Sequence, residues 1–172
     1  KHLFIQTQEM IDEGREGSMT TIAYKDGVIA WDSRVTAENF IVDDEYDKHV
    51  VIADIHFFCS GATEFVEDFC NAYAARSPTV KDMDVSAIVL EPSGKLFKAA
   101  VEERQGQFRI WRAPIPLGRM SALGSGHDFV LAYMDMGLSA EEAVQRTMRF
   151  DAATGGKVHT FQIPVAAQHV SV

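Results

Sequence analysis

Apolar and polar side chains alternate from Thr20 onward, and this period of two predicts β-strands. A first strand covers residues 19–24 and a second covers residues 28–31. Asp26-Gly27 separates them, and this dipeptide favours the tight turn of a β-hairpin. Two further short strands are predicted within residues 50–59, on either side of Asp54.

The period changes to that of an α-helix after Gly61. Ser77-Pro78 ends this helix, because the residue before a proline disfavours helical backbone. The apolar face of the helix consists of Phe65, Val66, Phe69, Cys70 and Tyr73. Strands are then predicted at residues 86–90, 96–97, 108–111 and 120–123.

Two helices and a closing strand complete the chain. The first helix begins after Gly124-Ser125-Gly126 and stops at Gly137. Ser139 and Glu142 have the spacing of a capping box at the start of the second. The closing strand covers residues 158–163.

This order of elements predicts an α+β fold. Each element has one apolar face, and two antiparallel sheets flanked by helices, a four-layer αββα sandwich, would bury all of these faces. Residues 20–172 are expected to form a single domain. Residues 1–19 are expected to be a leader, propeptide or expression remnant, since residues 12–18 form a polar, glycine-interrupted run.

Charge and composition narrow the function classes. The net charge is −9, which would repel a nucleic-acid backbone, so no nucleic-acid partner is expected. No run approaches the roughly 20 apolar residues that span a bilayer, and the first residues printed do not have the basic start and apolar core expected of a secretory signal. We therefore expect a cytoplasmic protein without a membrane partner. Cys59 and Cys70 lie among apolar residues and are expected to be buried free thiols.

Short polar motifs follow one another in a particular order. Each taken alone has an ordinary structural explanation, such as a turn aspartate or a helix cap. Together, from Thr20 to about Ile163, they resemble the proteasome β-subunit family, and most of all its small bacterial homologues. The motifs are Thr20-Thr21-Ile22, Ala30-Trp31-Asp32-Ser33-Arg34-Val35-Thr36, Lys48 at 16 residues after Asp32, Ser60-Gly61-Ala62, Gly124-Ser125-Gly126 and Asp151-x-x-Thr154-Gly155-Gly156.

The resemblance implies an N-terminal-nucleophile hydrolase that uses a threonine. Thr20 would supply the nucleophilic hydroxyl and, through its free α-amine, the general base, because such an amine has a reference pKa of about 7.7–8. Lys48 would place a positive charge beside the hydroxyl, and Asp32 would hold Lys48 in place. Ser125, Asp151 and Thr154 would fix and polarise the amine.

The resemblance also implies an oxyanion hole and a substrate pocket. Backbone N–H groups of Ser60 and Gly61 would form the hole, although Ser60 stands where the family usually has glycine. The pocket would be apolar and would favour cleavage after hydrophobic residues. The family's pocket positions correspond to Val35, Tyr46, Val50, Phe58 and Ala62.

Thr20 cannot act while Met19 acylates its amine, and two explanations stay open. Residues 1–19 are a propeptide removed by self-cleavage, or Met19 is the true start residue and is removed by an aminopeptidase. The family favours glycine before the threonine, which weighs against the first. Residues 13–17 can be encoded almost entirely with purines, as a translated ribosome-binding site would be, which favours the second.

Three functions are compatible with these residues. The leading hypothesis is an endopeptidase that cuts polypeptides inside stacked homo-oligomeric rings. The alternatives are an amidase of the same fold that acts on a small amide, and a non-catalytic ring-forming subunit. The sequence does not specify the ring size or an ATPase partner. No metal or cofactor is expected, since the histidines lack metal-ligand spacing, and the neighbours Ser125, His127 and Asp128 are unsuited to triad geometry.

Overall fold

The computed structural model of the protein describes residues 20–164. The predicted leader, residues 1–19, and the last residues of the predicted domain, 165–172, lie outside the described residues. Eleven strands are present in the described part of the chain: β1 Thr21–Lys25, β2 Val28–Asp32, β3 Val35–Ala37, β4 Phe40–Asp43, β5 His49–Ile52, β6 Ile55–Gly61, β7 Val85–Leu90, β8 Leu96–Arg104, β9 Gln107–Ile115, β10 Ser121–Gly124 and β11 Val158–Gln162.

Helices occupy three stretches between these strands. They are α1 Val66–Ala74, preceded by a 3₁₀ turn over Thr63–Phe65, then α2 His127–Asp135 and α3 Ala140–Thr147. The Ser139 side chain accepts a hydrogen bond from the Glu142 N–H at 3.1 Å, and the Glu142 carboxylate accepts one from the Ser139 N–H at 2.9 Å. This confirms the predicted capping box. No helix within residues 20–164 has the length and apolar character needed to cross a membrane.

Antiparallel pairing builds two main sheets. The four-stranded sheet has the order β10-β1-β2-β11, and the five-stranded sheet has the order β5-β6-β7-β8-β9. Asp26 and Gly27 both have positive φ, 49° and 79°, at the turn between β1 and β2. Ala53 and Asp54, at the turn between β5 and β6, also have positive φ values, of 51° and 61°. Two consecutive left-handed residues match the twist of the flanking strands, so both hairpins form where they were predicted.

Three apolar clusters hold the layers together. The first packs α1, through Phe69 and Cys70, against Phe57 and Val89 of the five-stranded sheet. The second contains residues of both main sheets and includes Phe58. The third packs α2 and α3 against the small side chains of the four-stranded sheet. Helices therefore cover each main sheet, and the strands that carry polar site residues meet between them.

The structure confirms an α+β fold with antiparallel sheets, and it contains one sheet more than was predicted. β3 and β4 form a separate two-stranded sheet, whereas only two sheets were predicted. All four residues of β4 are exposed, so this strand has no buried face that would produce an alternating pattern. The five-stranded sheet also has only one α-helix packed against it among the described residues.

Candidate active site

Asp32 and Lys48 form a buried ion pair. Lys48 Nζ lies 2.8 Å from Asp32 Oδ1 and also donates to the Arg34 carbonyl at 2.6 Å. Asp32 is the last residue of β2, and Lys48 immediately precedes β5. The ends of strands from two different sheets thus bring together residues that are 16 positions apart in the chain.

Burial and charge act in opposite directions on Lys48. Removal of the ammonium from water lowers the pKa of Lys48 below its ordinary value, and the Asp32 carboxylate beside it opposes that shift. The balance lies on the side of burial. Lys48 therefore releases its proton more readily than a free lysine does, while Asp32 keeps its amine in one place.

The Asp32 carboxylate also fixes two backbone segments. Oδ1 accepts the N–H of Thr21 at 3.0 Å, and Oδ2 accepts the N–H of Gly155 at 2.9 Å. One oxygen therefore binds both Lys48 and the residue that follows Thr20. A carboxylate that accepts several hydrogen bonds in a buried position is held rigidly.

A second polar network surrounds Asp151. Its Oδ2 accepts hydrogen bonds from Ser125 Oγ at 2.6 Å and from Thr154 Oγ1 at 2.6 Å. The Thr154 hydroxyl also lies 2.5 Å from the Thr21 hydroxyl. The three residues expected to hold the amine thus form one cluster in which Ser125 and Thr154 both bond to Asp151, and Thr21 joins this cluster to the Asp32 side of the site.

Thr20 lies beside β10. Thr20 is fully buried in this structure. A Cβ at Gly124 would overlap the Thr20 carbonyl oxygen and lie 3.3 Å from the Ser60 hydroxyl. Gly124 has a φ of +91°, so its missing side chain and its left-handed backbone are both needed for this close approach. The predicted nucleophile and the predicted oxyanion strand are therefore neighbours.

The β6–β7 register determines where the peptide groups of Ser60 and Gly61 point. Gly61 pairs with Val85, and the Ala62 N–H donates to the Asp84 carbonyl at 2.7 Å. In this register the Ser60 carbonyl faces β7. The Gly61 N–H is trans to that carbonyl across the same peptide, so it points away from β7.

The opposite side of β6 has no paired strand at this level. The Cys59 N–H donates to the Lys48 carbonyl at 2.9 Å, and β5 begins only at His49, which pairs with Phe58. No β5 residue therefore lies opposite Gly61. By the same alternation, the Ser60 N–H faces β7. The geometry favours Gly61, and disfavours Ser60, as a backbone donor to a bound carbonyl.

Two solved structures resemble this chain. Thiobacillus denitrificans BPH in complex with epoxomicin is 17% identical, and the match covers 85% of this chain and 99% of that one with a TM-score of 0.55. Eukaryotic HslV from Trypanosoma brucei is also 17% identical, with 84% and 99% covered and a TM-score of 0.52. This chain has a proteasome-like fold. No protein-family model and no curated protein matches the sequence, so the likeness is one of shape.

The predicted pocket residues occupy different places in this proteasome-like fold. Phe58 belongs to the core between the main sheets, whereas Val50 packs against the cluster on the other face of its sheet. Their side chains therefore lie on opposite faces of the five-stranded sheet and do not line one pocket together. Val35 and Tyr46 are partly exposed and Ala62 is buried, and their place in a substrate pocket stays a prediction.

Arg34 is a site neighbour to which the sequence assigned no role. Its guanidinium donates to both carboxylate oxygens of Asp44, at 2.8 and 3.1 Å, and to the Ala152 carbonyl at 3.0 Å. Its own carbonyl accepts from Lys48. Arg34 thus connects the segment before β5 to the Asp151 loop. The arginine of the Asp-Ser-Arg motif was the available signal.

The rejected serine triad is not assembled. His127 Nδ1 lies 2.8 Å from the Gly124 carbonyl, and its Nε2 lies 3.0 Å from Asp128. Ser125 donates to Asp151 instead. No group of three metal-ligating side chains occurs within residues 20–164.

Proposed function

We propose that the protein is a threonine endopeptidase of the proteasome type, with Thr20 as its nucleophile once residues 1–19 are removed. The observation that supports it best is the sharing of Asp32 Oδ1 by the Lys48 ammonium, at 2.8 Å, and by the Thr21 amide, at 3.0 Å. This arrangement ties a buried ammonium to the peptide that follows the proposed nucleophile.

The proposed reaction begins at the Thr20 hydroxyl. Its oxygen attacks the carbonyl carbon of the scissile peptide, and its proton passes to the free α-amine of the same residue. Lys48 lowers the cost of developing negative charge on the hydroxyl oxygen. The tetrahedral oxyanion accepts a hydrogen bond from the Gly61 N–H, which is aimed before the reaction starts.

The second half of the cycle returns the enzyme to its first state. The carbon–nitrogen bond breaks, and the leaving amine takes the proton held by the α-amine. Water then attacks the threonyl ester while the α-amine accepts a proton from it. The bond between the acyl carbon and the Thr20 oxygen breaks, the α-amine returns the proton to that oxygen, and the acid product leaves. Ser125, Asp151 and Thr154 hold the α-amine in line through both steps.

Assembly into rings is part of the proposal. The described surface exposes large apolar side chains, among them Phe40 at 74%, Met136 at 75% and Phe150 at 62%. Contacts between copies would remove such surfaces from water. We infer homo-oligomeric stacked rings of αββα subunits in the cytoplasm that enclose the active sites and admit unfolded polypeptide.

A comparison of three processed proteins tests this function. Wild type, Thr20→Ser and Thr20→Ala are each produced with residue 20 as a free N-terminus. Each protein is assayed with two kinds of substrate: fluorogenic peptides that have a hydrophobic residue before the cleaved bond, and a separate small amide. Wild type should cleave the peptides, Thr20→Ser should retain part of the rate, and Thr20→Ala should fall to background. Equal rates for wild type and Thr20→Ala would refute the proposal, and preference for the small amide would favour the amidase.

A further inference from the structure

The Thr21 hydroxyl takes no part in the proposed reaction. Its side chain is fully buried at the start of β1. Its N–H donates to Asp32 Oδ1, and its hydroxyl contacts Thr154 Oγ1. Thr21 is therefore bonded to both polar networks of the site, through its backbone to Asp32 and Lys48 and through its side chain to Thr154 and Asp151.

The direction of the hydroxyl chain follows from counting protons. The Thr154 hydroxyl donates to Asp151 Oδ2, and this hydrogen bond uses its single proton. The 2.5 Å contact between the two threonine oxygens needs a proton of its own, and Thr21 must supply it. The chain thus runs from Thr21 to Thr154 to Asp151, where Ser125 donates to the same oxygen from the other side.

Gly126 allows this chain to close. A Cβ at Gly126 would overlap the Thr21 hydroxyl and lie 3.1 Å from the Thr154 hydroxyl. The start of α2 therefore packs directly on the two oxygens and leaves Thr21 little freedom to turn away. A buried hydroxyl pair packed this tightly fixes the orientation of both side chains.

We propose that the Thr21 hydroxyl is a positioning residue that orients Thr154, and through Thr154 the Asp151–Ser125 pair that holds the Thr20 amine. The inference rests on the proposed function. Without the donor at residue 21, Thr154 is free to rotate its hydroxyl away from Asp151. The Asp151 carboxylate, which accepts from Ser125, is then less firmly oriented, and the Thr20 α-amine is less well aligned as a base.

Substitutions that remove or keep the hydroxyl test this role. On processed protein, Thr21→Val should lower kcat about tenfold, the effect of one lost hydrogen bond in an aligned site, with KM nearly unchanged. Thr21→Ser should restore most of the rate, and the pH profile of kcat/KM should move in Thr21→Val but not in Thr21→Ser. A kcat for Thr21→Val within about twofold of wild type, or equal impairment of Val and Ser variants, would overturn the inference.

A double-mutant cycle tests whether Thr21 acts through Thr154. If Thr21 acts through Thr154, the pair Thr21→Val/Thr154→Val should be no slower than Thr154→Val by itself. Additive losses would contradict the inference. Should Thr21→Val fail to fold, as judged by thermal unfolding, Thr21→Ala takes its place in the cycle with the same expectation.

Reaction of wild type with an epoxyketone separates the two proposals. If processed wild type neither hydrolyses peptides nor forms an adduct at Thr20, the proposed function fails. If wild type reacts and Thr21→Val reacts at the same rate, the function stands and the role of Thr21 is wrong.

Discussion

Lys48 Nζ and Asp32 Oδ1 are 2.8 Å apart in an ion pair whose side chains are 1% and 0% exposed. A buried ion pair is a weak source of stability, because desolvation of both charges offsets their attraction. Apolar residues of similar volume would serve the core at least as well. The pair is therefore better explained by a part in the proposed reaction than by a contribution to folding. This explanation predicts different effects of substitutions on activity and on stability.

Breaking the pair from either side should be costly. We expect Asp32→Asn and Lys48→Met each to lower the free energy of unfolding by about 3–5 kcal/mol, since each leaves one buried charge without its partner. Each should also reduce peptide hydrolysis about 10²-fold or more. Urea unfolding and kinetics on processed protein measure the two effects.

The double variant Asp32→Asn/Lys48→Met is the control for that prediction. It contains no buried charge at this position, so it should recover stability relative to Asp32→Asn while remaining inactive. Activity in the double variant near that of wild type would show that the pair is only structural.

The strand and helix pattern was largely readable because local rules and tertiary packing agree. Asp26 and Gly27 adopt the left-handed turn that their types favour, and four of the five predicted apolar residues of the first helix, Val66, Phe69, Cys70 and Tyr73, are buried. The β3–β4 ribbon was missed for the opposite reason. Phe40, Ile41 and Val42 are consecutive exposed apolar residues, and periodicity cannot indicate a strand that has no buried side.

The oxyanion donor should be the backbone N–H of Gly61, so the Ser60 side chain should be dispensable for hydrolysis. Ser60→Ala leaves the backbone unchanged, so we expect hydrolysis within about threefold of wild type. Gly61→Ala should be destabilised and inactive, because Gly61 has a φ of +119° and its Cβ would overlap the Asp84 carbonyl. Kinetics and thermal unfolding of both variants measure this difference, and a large loss of activity in stable Ser60→Ala would assign a role to the serine hydroxyl instead.

His49 should make the fold sensitive to acid. Burial, and secondly the charge of His56, lower the pKa of His49 below its ordinary value of 6.5. The unfolded chain therefore binds a proton at His49 more readily than the folded chain does. Stability should fall as the pH drops through 6.5 towards the folded pKa.

His49→Phe tests this pH dependence with stacking retained. His49 stacks on Phe58 with ring centroids 4.6 Å apart, so phenylalanine keeps an aromatic ring there without the proton. Between pH 7.5 and 5.5, wild type should lose more unfolding free energy in urea than His49→Phe. Equal losses of unfolding free energy in the two proteins would show that other groups cause the acid sensitivity. A pKa of His49 above 6.5, measured by NMR titration, would contradict the lowered pKa.

The site was only partly readable from the sequence. The ordered motif set and the separation of 16 residues predicted that Asp32 and Lys48 lie together. Without that set, a lysine before a strand would indicate an exposed edge charge. The connection made by Thr21 was not predicted, since its contact with Thr154 spans 133 positions and no local pattern records it. Val50 and Phe58 likewise lie on opposite faces of one sheet, and their separation could not be predicted from the motifs alone.

Intact mass of processed protein after treatment with an epoxyketone tests the central claim most directly. We expect one adduct per subunit, located by peptide mapping at Thr20, and none on Thr20→Ala. An adduct elsewhere, or no adduct on folded wild type with a free Thr20 amine, would contradict the assignment of Thr20 as the nucleophile.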